Sequence, residues 1–360
     1  MNVANRLQAL RRLMHEHGLA ALLVSEPHNR RYLSGFTGSA GVLLITQERQ
    51  GIATDFRYYE QVRRQCPDWE LFQVGRDFEG HLANLLRAFG VQGASVGYEA
   101  AHVAVATWQR WHAAVGETAT LVETVGLVEQ LRQVKDAEEL QAMRRAIAIA
   151  ERAWSQLLEV LRPGISEREV AWQLESHMRT LGADAVAFPP IVTSGANGAL
   201  PHATPSERPI QAGEPIVIDF GCLVDGYCSD ITRTVCLGRP SDERYLELWQ
   251  LVQRAQQAAL RGVKAGMSGM EADRLAREVI GAAGYGEYFG HGLGHGIGLA
   301  AHEAPRLNPT SSDVLPGGAV VTIEPGIYLP DWGGVRIEDM VRIHPDGAEV
   351  LTQVPAVPVL

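Results

Sequence analysis

The chain has 360 residues, enough to bury one large core and a smaller one, so two domains are expected. Hydrophobic residues make up 46% and charged residues 21%, with no low-complexity tract, which excludes a disordered chain. The formal net charge of −10, with no basic stripe, argues against a nucleic-acid partner, and no apolar run approaches the roughly 20 residues needed to cross a bilayer.

In chain order, helical spacing covers Asn5 to His17, Arg57 to Gln65, Phe78 to Phe89 and Ala104 to Ala114. The first of these carries Arg6, Arg11, Arg12 and Glu16 on a polar face, unlike the continuous apolar segment of a signal peptide, so a soluble, cytoplasmic protein is expected. Between the helices, Leu19 to Val24, Gly41 to Ile45, Trp69 to Val74 and Ala94 to Gly97 read as strands. This alternation predicts an α/β domain over residues 1–125, with the boundary in the segment Gly126 to Asp136 and a second domain over 126–360. Cys66, Cys222, Cys228 and Cys236 are too few and too uneven for a disulfide framework and read as reduced core residues.

The second domain opens with long helical periodicity from Leu127 to Ala153. Asp136 with Glu139, and Ser166 with Glu169 after the helix-stopping Pro163-Gly164, carry the spacing of capping boxes. Ile216 to Phe220 is a buried-strand run, Val224-Asp225-Gly226 signals a hairpin turn, and Gly226 to Val235 should return as one strand. Helices over Asp242 to Lys264 and Glu271 to Ala283 follow, then strands over Ala319 to Glu324 and Gly334 to Ile343.

Asp219 ends an apolar strand and Asp230 lies on its hairpin partner, so two carboxylates share one neighbourhood. Burying one unpaired carboxylate is costly, and two raise each other's pKa, so basic partners or a metal must sit there. Arg233 is a candidate ion-pair partner for these two acids. Glu324 and Glu338 repeat the anomaly in Val320-Val321-Thr322-Ile323-Glu324 and Val335-Arg336-Ile337-Glu338, and local arginines are too few for all four. Two divalent cations satisfy them most economically. His295 lies in Gly290-His291-Gly292-Leu293-Gly294-His295-Gly296-Ile297-Gly298, where alternate glycines allow close backbone approach and unusual dihedrals. His291 and His302 cluster with it, whereas His202 stands alone.

The segments IDFG, SDITRT, GHGLGHGIG followed by HE, TIEPGIY and VRIED resemble, in order and spacing, the motifs of the pita-bread metallopeptidase family of aminopeptidase P and prolidase. The resemblance runs from about Leu127 to the C-terminus. It implies an α+β domain with a curved, mainly antiparallel sheet flanked by helices. It also implies that Asp219, Asp230, His295, Glu324 and Glu338 are metal ligands, with Asp230 and Glu338 bridging two ions. His202, His291 and His302 match the family's non-ligand histidines, which bind substrate and stabilise the tetrahedral intermediate. Residues 29–38 and 54–58 are similar to the creatinase/prolidase N-terminal domain, which methionine aminopeptidases generally lack.

The activity this implies is hydrolysis of the Xaa-Pro bond of dipeptides or short peptides, with a metal-bridging hydroxide as nucleophile and Glu324 as general base. An oxygen-rich site with one imidazole suits Mn²⁺, with Co²⁺ and Zn²⁺ as alternatives. Arg306, Tyr328 and Arg336 are candidate substrate contacts; Arg306 resembles the prolidase arginine that holds a free C-terminus, and a surface salt bridge explains it equally well. A homodimer is the family expectation. Two other readings stay open: a creatinase-like, metal-free C–N hydrolase, and a non-catalytic peptide-binding protein of the same fold.

Overall fold

The computed structural model describes residues 3–75 and 77–360, and the chain divides into two compact units, Met1–Arg132 and Gln133–Leu360. The first unit is a six-stranded sheet in the order Glu70–Gln73, Gln50–Thr54, Val42–Thr46, Ala21–Val24, Ser95–Glu99, Thr120–Thr124. Only Val42–Thr46 runs against its neighbours. Ala21–Val24 is buried on both faces, as its unbroken apolar run requires. The helices Val3–Glu16, Tyr59–Gln65, Glu79–Ala88 and Val105–Val115 fall where their spacing predicts them.

Three elements of this unit are not evident in the sequence pattern. Gln50–Thr54 begins with Gln and Gly, yet it pairs on both edges and buries Ile52 completely. Pro27–Ser34 is a helix capped by the Glu26 carboxylate and stopped by Gly35 at φ 76°, a conformation that favours glycine. Thr120–Thr124 forms the last edge strand. The short helix Glu129–Gln133 reaches past residue 125, and it is tied into the first unit. There Arg132 Nη1 donates to Asn29 Oδ1 at 2.8 Å and the Tyr32 hydroxyl donates to Leu131 O at 3.1 Å.

The second unit is built from antiparallel sheets and two helix pairs. One pair, Ala137–Val160 and Glu167–Thr180, covers Ile216, Ile218, Phe220 and Val235 of the three-stranded sheet Ile231–Cys236, Pro215–Phe220, Ile191–Ser194. The other, Arg244–Gly262 and Gly269–Ala282, covers Val321, Ile323 and Val341 of the five-stranded sheet Glu303–Leu307, Gly294–Gly296, Val320–Ile323, Asp339–His344, Gly347–Val350. A bridge between Thr232 and Glu338 links the two sheets. Asp136 and Glu139 form the full capping box, as does Ser268 with Glu271. Ser166 accepts from Glu169 N, but the Glu169 side chain accepts from Gln173 instead of closing the box.

The hairpin differs from the continuous pair expected. Its strands break at Gly221 and again at Ser229–Asp230, giving Cys222–Val224 paired with Tyr227–Cys228 beyond the main ladder. A Cβ at Gly221 would lie 1.8 Å from Ser229 O, so the two breaks face each other at a contact only glycine permits. Gly334 to Ile343 likewise splits into Gly333–Arg336 and Asp339–His344, with Glu338 in the gap.

Candidate metal centre

Asp219, Asp230, His291, His295, Glu324, Arg336 and Glu338 line one cavity of about 490 Å³ in the second unit, together with His202, His302 and Arg306. Its wall also includes an apolar stretch formed by Phe188, Pro189, Pro190, Ile191 and Pro201. Asp230 and Glu338 stand in strand breaks and Glu324 just past a strand end, where a side chain can leave the pleat, while Asp219 is paired within Pro215–Phe220, one residue from its end. His295 comes from Gly294–Gly296, and the flanking glycines are needed for contact: Cβ atoms there would lie 2.0 Å from Thr322 O and 2.1 Å from Ala304 O. The expected unusual dihedrals are not found, since no glycine of the run from Gly290 to Gly298 has positive φ.

Asp230, His295 and Glu338 each present one donor atom within 4.8 Å of the others, a group that could hold a metal ion. His295 Nδ1 lies 3.1 Å from Gly296 O, an acceptor, so Nδ1 carries the proton and Nε2 turns its lone pair toward the carboxylates. Nε2 is 3.3 Å from Glu324 Oε1 and 3.8 Å from Asp230 Oδ2. Three acceptors facing one another call for a cation between them.

The charge balance points the same way. Against four carboxylates the cavity sets one buried guanidinium, Arg336, whose Nη2 donates to Asp219 Oδ2 at 2.7 Å. Arg233 serves Asp339 instead, at 2.7 Å, so it is not the counterion of Asp219 and Asp230. Asp219 Oδ1 is buried with no hydrogen-bond partner among the described residues, an orphan that a metal would satisfy. Burial pushes the Asp230 and Glu338 carboxyls well up, and the neighbouring acids push them further. Burial raises Glu324 too, but the adjacent His295 and His291 and the Arg336 guanidinium outweigh it and hold this carboxyl below its ordinary range. Four oxygen donors and one imidazole nitrogen therefore fit a hard divalent cation.

Two threonines sharpen the acids' orientation. Thr232 Oγ1 donates to Glu338 Oε2 at 2.6 Å, and Thr322 Oγ1 donates to Glu324 Oε1 at 3.2 Å. In the sequence both look like ordinary strand residues, although Thr322 lies two positions before Glu324 and so shares its face. Tyr328 does not line the cavity; its hydroxyl accepts from Arg336 Nη1 at 2.8 Å and donates to His291 Nε2 at 2.9 Å. His291 Nδ1 donates to Gly292 O at 2.8 Å, so that ring is neutral and its orientation is fixed beside the cavity. Burial lowers the pKa of His291 and of His302, and the neighbouring His295 and Arg306 lower His302 further.

Charged pairs behind the cavity hold two of the histidine loops. Asp273 accepts from Leu293 N and pairs with Arg277, which donates to Phe289 O and His291 O. Lys135 pairs with Glu303, next to His302, at 2.7 Å with both groups buried. All four cysteines are free and buried, and among the described residues no helix is long and apolar enough to cross a membrane.

This arrangement of strands, helix pairs and clustered acids defines a metallopeptidase domain following a creatinase-type α/β domain. The chain belongs to metallopeptidase family M24, whose model matches residues 141–345, and the creatinase/prolidase N-terminal domain matches residues 6–134. It is 42% identical over 350 residues to the uncharacterized peptidase YqhT of Bacillus subtilis, covering 97% of this chain and 98% of the relative. A solved Xaa-Pro dipeptidase from Bacillus anthracis superposes with a TM-score of 0.95 at 41% identity, over the whole of both chains. An X-Pro aminopeptidase from Thermotoga maritima superposes at 0.90 with 39% identity, over 98% of this chain and 99% of that one.

Proposed function

We propose that the chain hydrolyses the bond before proline in Xaa-Pro dipeptides, with two divalent metal ions held by Asp219, Asp230, His295, Glu324 and Glu338. The observation that carries this reading is the excess of carboxylates, four against one buried arginine, with Asp219 Oδ1 left unsatisfied. Manganese suits that donor set best, with cobalt and zinc as alternatives. Such a metal pair supplies an acidified water near neutral pH and a Lewis acid for the carbonyl.

The protein's own groups do the rest. Glu324, held ionised, accepts the proton of the attacking water. His302, kept neutral, offers an N–H to the oxyanion, and His202 and His291 position the peptide. Asp230 and Glu338, clustered with His295, would be central among the residues that hold the metal. Proline after the scissile bond gives a tertiary amide without an N–H, so the subsite beyond that bond must grip shape and not a backbone donor. The wall of Phe188, Pro189, Pro190 and Ile191 supplies apolar surface for such a grip.

Arg306 favours a dipeptide over a longer chain. Its side chain lines the cavity, and its guanidinium has no ion-pair or hydrogen-bond partner among the described residues, so a surface salt bridge does not account for it. Its backbone N–H donates to Asp313 Oδ2 at 2.8 Å. A fork of free N–H groups within reach of the subsite suits a terminal carboxylate. Arg306→Ala should lower kcat/KM on Ala-Pro by about 10- to 100-fold, the worth of a charged hydrogen bond, and change Ala-Pro-Ala much less. Steady-state kinetics of wild type and variant on Ala-Pro, Ala-Pro-Ala and Ala-Ala test the reading. Equal losses on both proline substrates would remove the dipeptide assignment, and a wild type that prefers Ala-Ala would remove the proline assignment.

A further inference from the structure

We propose that Glu167, outside the cavity, is a positioning residue that sets the place of His202; this rests on the peptidase reading above. His202 is exposed, and its ring has no hydrogen-bond partner among the described residues. Its place in the cavity wall is therefore set by the backbone that carries it. That segment follows strand Ile191–Ser194 and also contributes Pro201, Thr204 and Pro205 to the wall.

One carboxylate closes the segment at both ends. Glu167 is completely buried at the start of helix Glu167–Thr180. Its Oε1 accepts from Ser194 N at 2.7 Å and Ser194 Oγ at 2.9 Å, and its Oε2 accepts from Ser206 N at 3.1 Å and Ser206 Oγ at 2.6 Å. Asn197 Nδ2 lies between, 3.2 and 3.1 Å from the two oxygens. Ser194 and Ser206 thus converge on one charged group, and His202 rides on the loop between them.

The chemistry makes this staple stiff. Every donor that meets Glu167 is neutral, so the buried charge is satisfied only while both ends of the loop stay in place. The helix N-terminus favours the charge, and Arg208 reaches it indirectly, donating to Ser194 Oγ at 2.6 Å while paired with Glu214. A fixed carboxylate with five donor groups holds a loop more closely than apolar contacts, which allow sliding. The Asp273–Arg277 and Lys135–Glu303 pairs serve the His291 and His302 loops in the same way.

A double-mutant cycle tests this. Glu167→Gln keeps the volume but turns an N–H₂ toward the Ser206 and Asn197 donors, releasing one end of the loop. In the metal-loaded protein it should lower kcat/KM on Ala-Pro by about 10- to 100-fold, the usual cost of a displacement near 1 Å, with metal content unchanged. In a His202→Ala background the same substitution should cost less than about twofold, because the residue it positions is gone. Additive losses, an unchanged rate, or loss of metal would overturn the proposal. Should Glu167→Gln fail to fold, Ser206→Ala, which removes one 2.6 Å bond, takes its place in the cycle. The His202 Cε1–H resonance adds a readout independent of activity. It should shift or broaden in the variant while that of His344 does not, and an unmoved His202 signal would overturn the proposal even if the wild type proved inactive on Xaa-Pro peptides.

Discussion

Asp230→Asn is expected to abolish metal binding and peptidase activity together, with kcat/KM on Ala-Pro falling by more than about 10³-fold. That exceeds the roughly 10- to 100-fold typical of changes behind a metal site, because Asp230 stands inside the donor cluster. The same substitution should stabilise the chelated protein. Asp230 is buried beside Glu338, Asp219 and Glu324, and a carboxyl pushed well up by burial and like charges costs stability wherever it must ionise without a cation. Asparagine keeps the shape and removes one of those charges. In chelator, the variant should therefore melt above the wild type, by about 2–4 °C for each kcal/mol relieved in a unit of this size. Elemental analysis, steady-state kinetics and thermal denaturation with and without chelator check the three effects, and a variant with wild-type metal content would contradict the assignment.

His302→Ala separates chemistry from metal binding. The His302 ring lies 4.3 Å, centroid to centroid, from that of His295, and burial with the adjacent His295 and Arg306 keeps it neutral. A neutral imidazole with one N–H directed at the developing oxyanion contributes in the transition state more than in the ground state. The expected outcome is a fall in kcat of about 10²- to 10³-fold, a KM changed far less, and a full complement of metal. A variant with unchanged kcat, or one that loses its metal, would refute the role.

How much of this was legible in the sequence differs by residue. The four acids stand out because each lies in or beside an apolar strand run, where burial would otherwise favour an apolar residue, and the cavity brings all four together. Most of the longer helices were legible from spacing and caps, down to the Asp136–Glu139 box, whereas Pro27–Ser34 was not. The counterion was not. Arg233 and Arg336 both sit near an acid in the sequence, and only the tertiary arrangement sends Arg336 to Asp219 and Arg233 to Asp339. Glu167 could not be distinguished from an ordinary first-turn acid, because its partners lie 27 to 39 residues away and no periodicity encodes them. Strand Gln50–Thr54 was hidden for a related reason: its pairing, and not its side-chain pattern, holds it in the sheet.

The apolar wall was equally invisible. Phe188-Pro189-Pro190-Ile191 reads as a connector, and only the tertiary arrangement brings it to the cavity that the acids line. The division between the units falls at Arg132, where hydrogen bonds from Arg132 and Tyr32 that local sequence does not announce hold the connecting helix.

The central claim is that the clustered carboxylates are a metal centre on which hydrolysis depends. Exhaustive chelation followed by assay on Ala-Pro tests it most directly: activity should fall by more than about 10³-fold, in step with metal content, and return on adding Mn²⁺. Hydrolysis that continues at the original rate in metal-free protein would contradict the account and point to metal-free C–N bond cleavage instead.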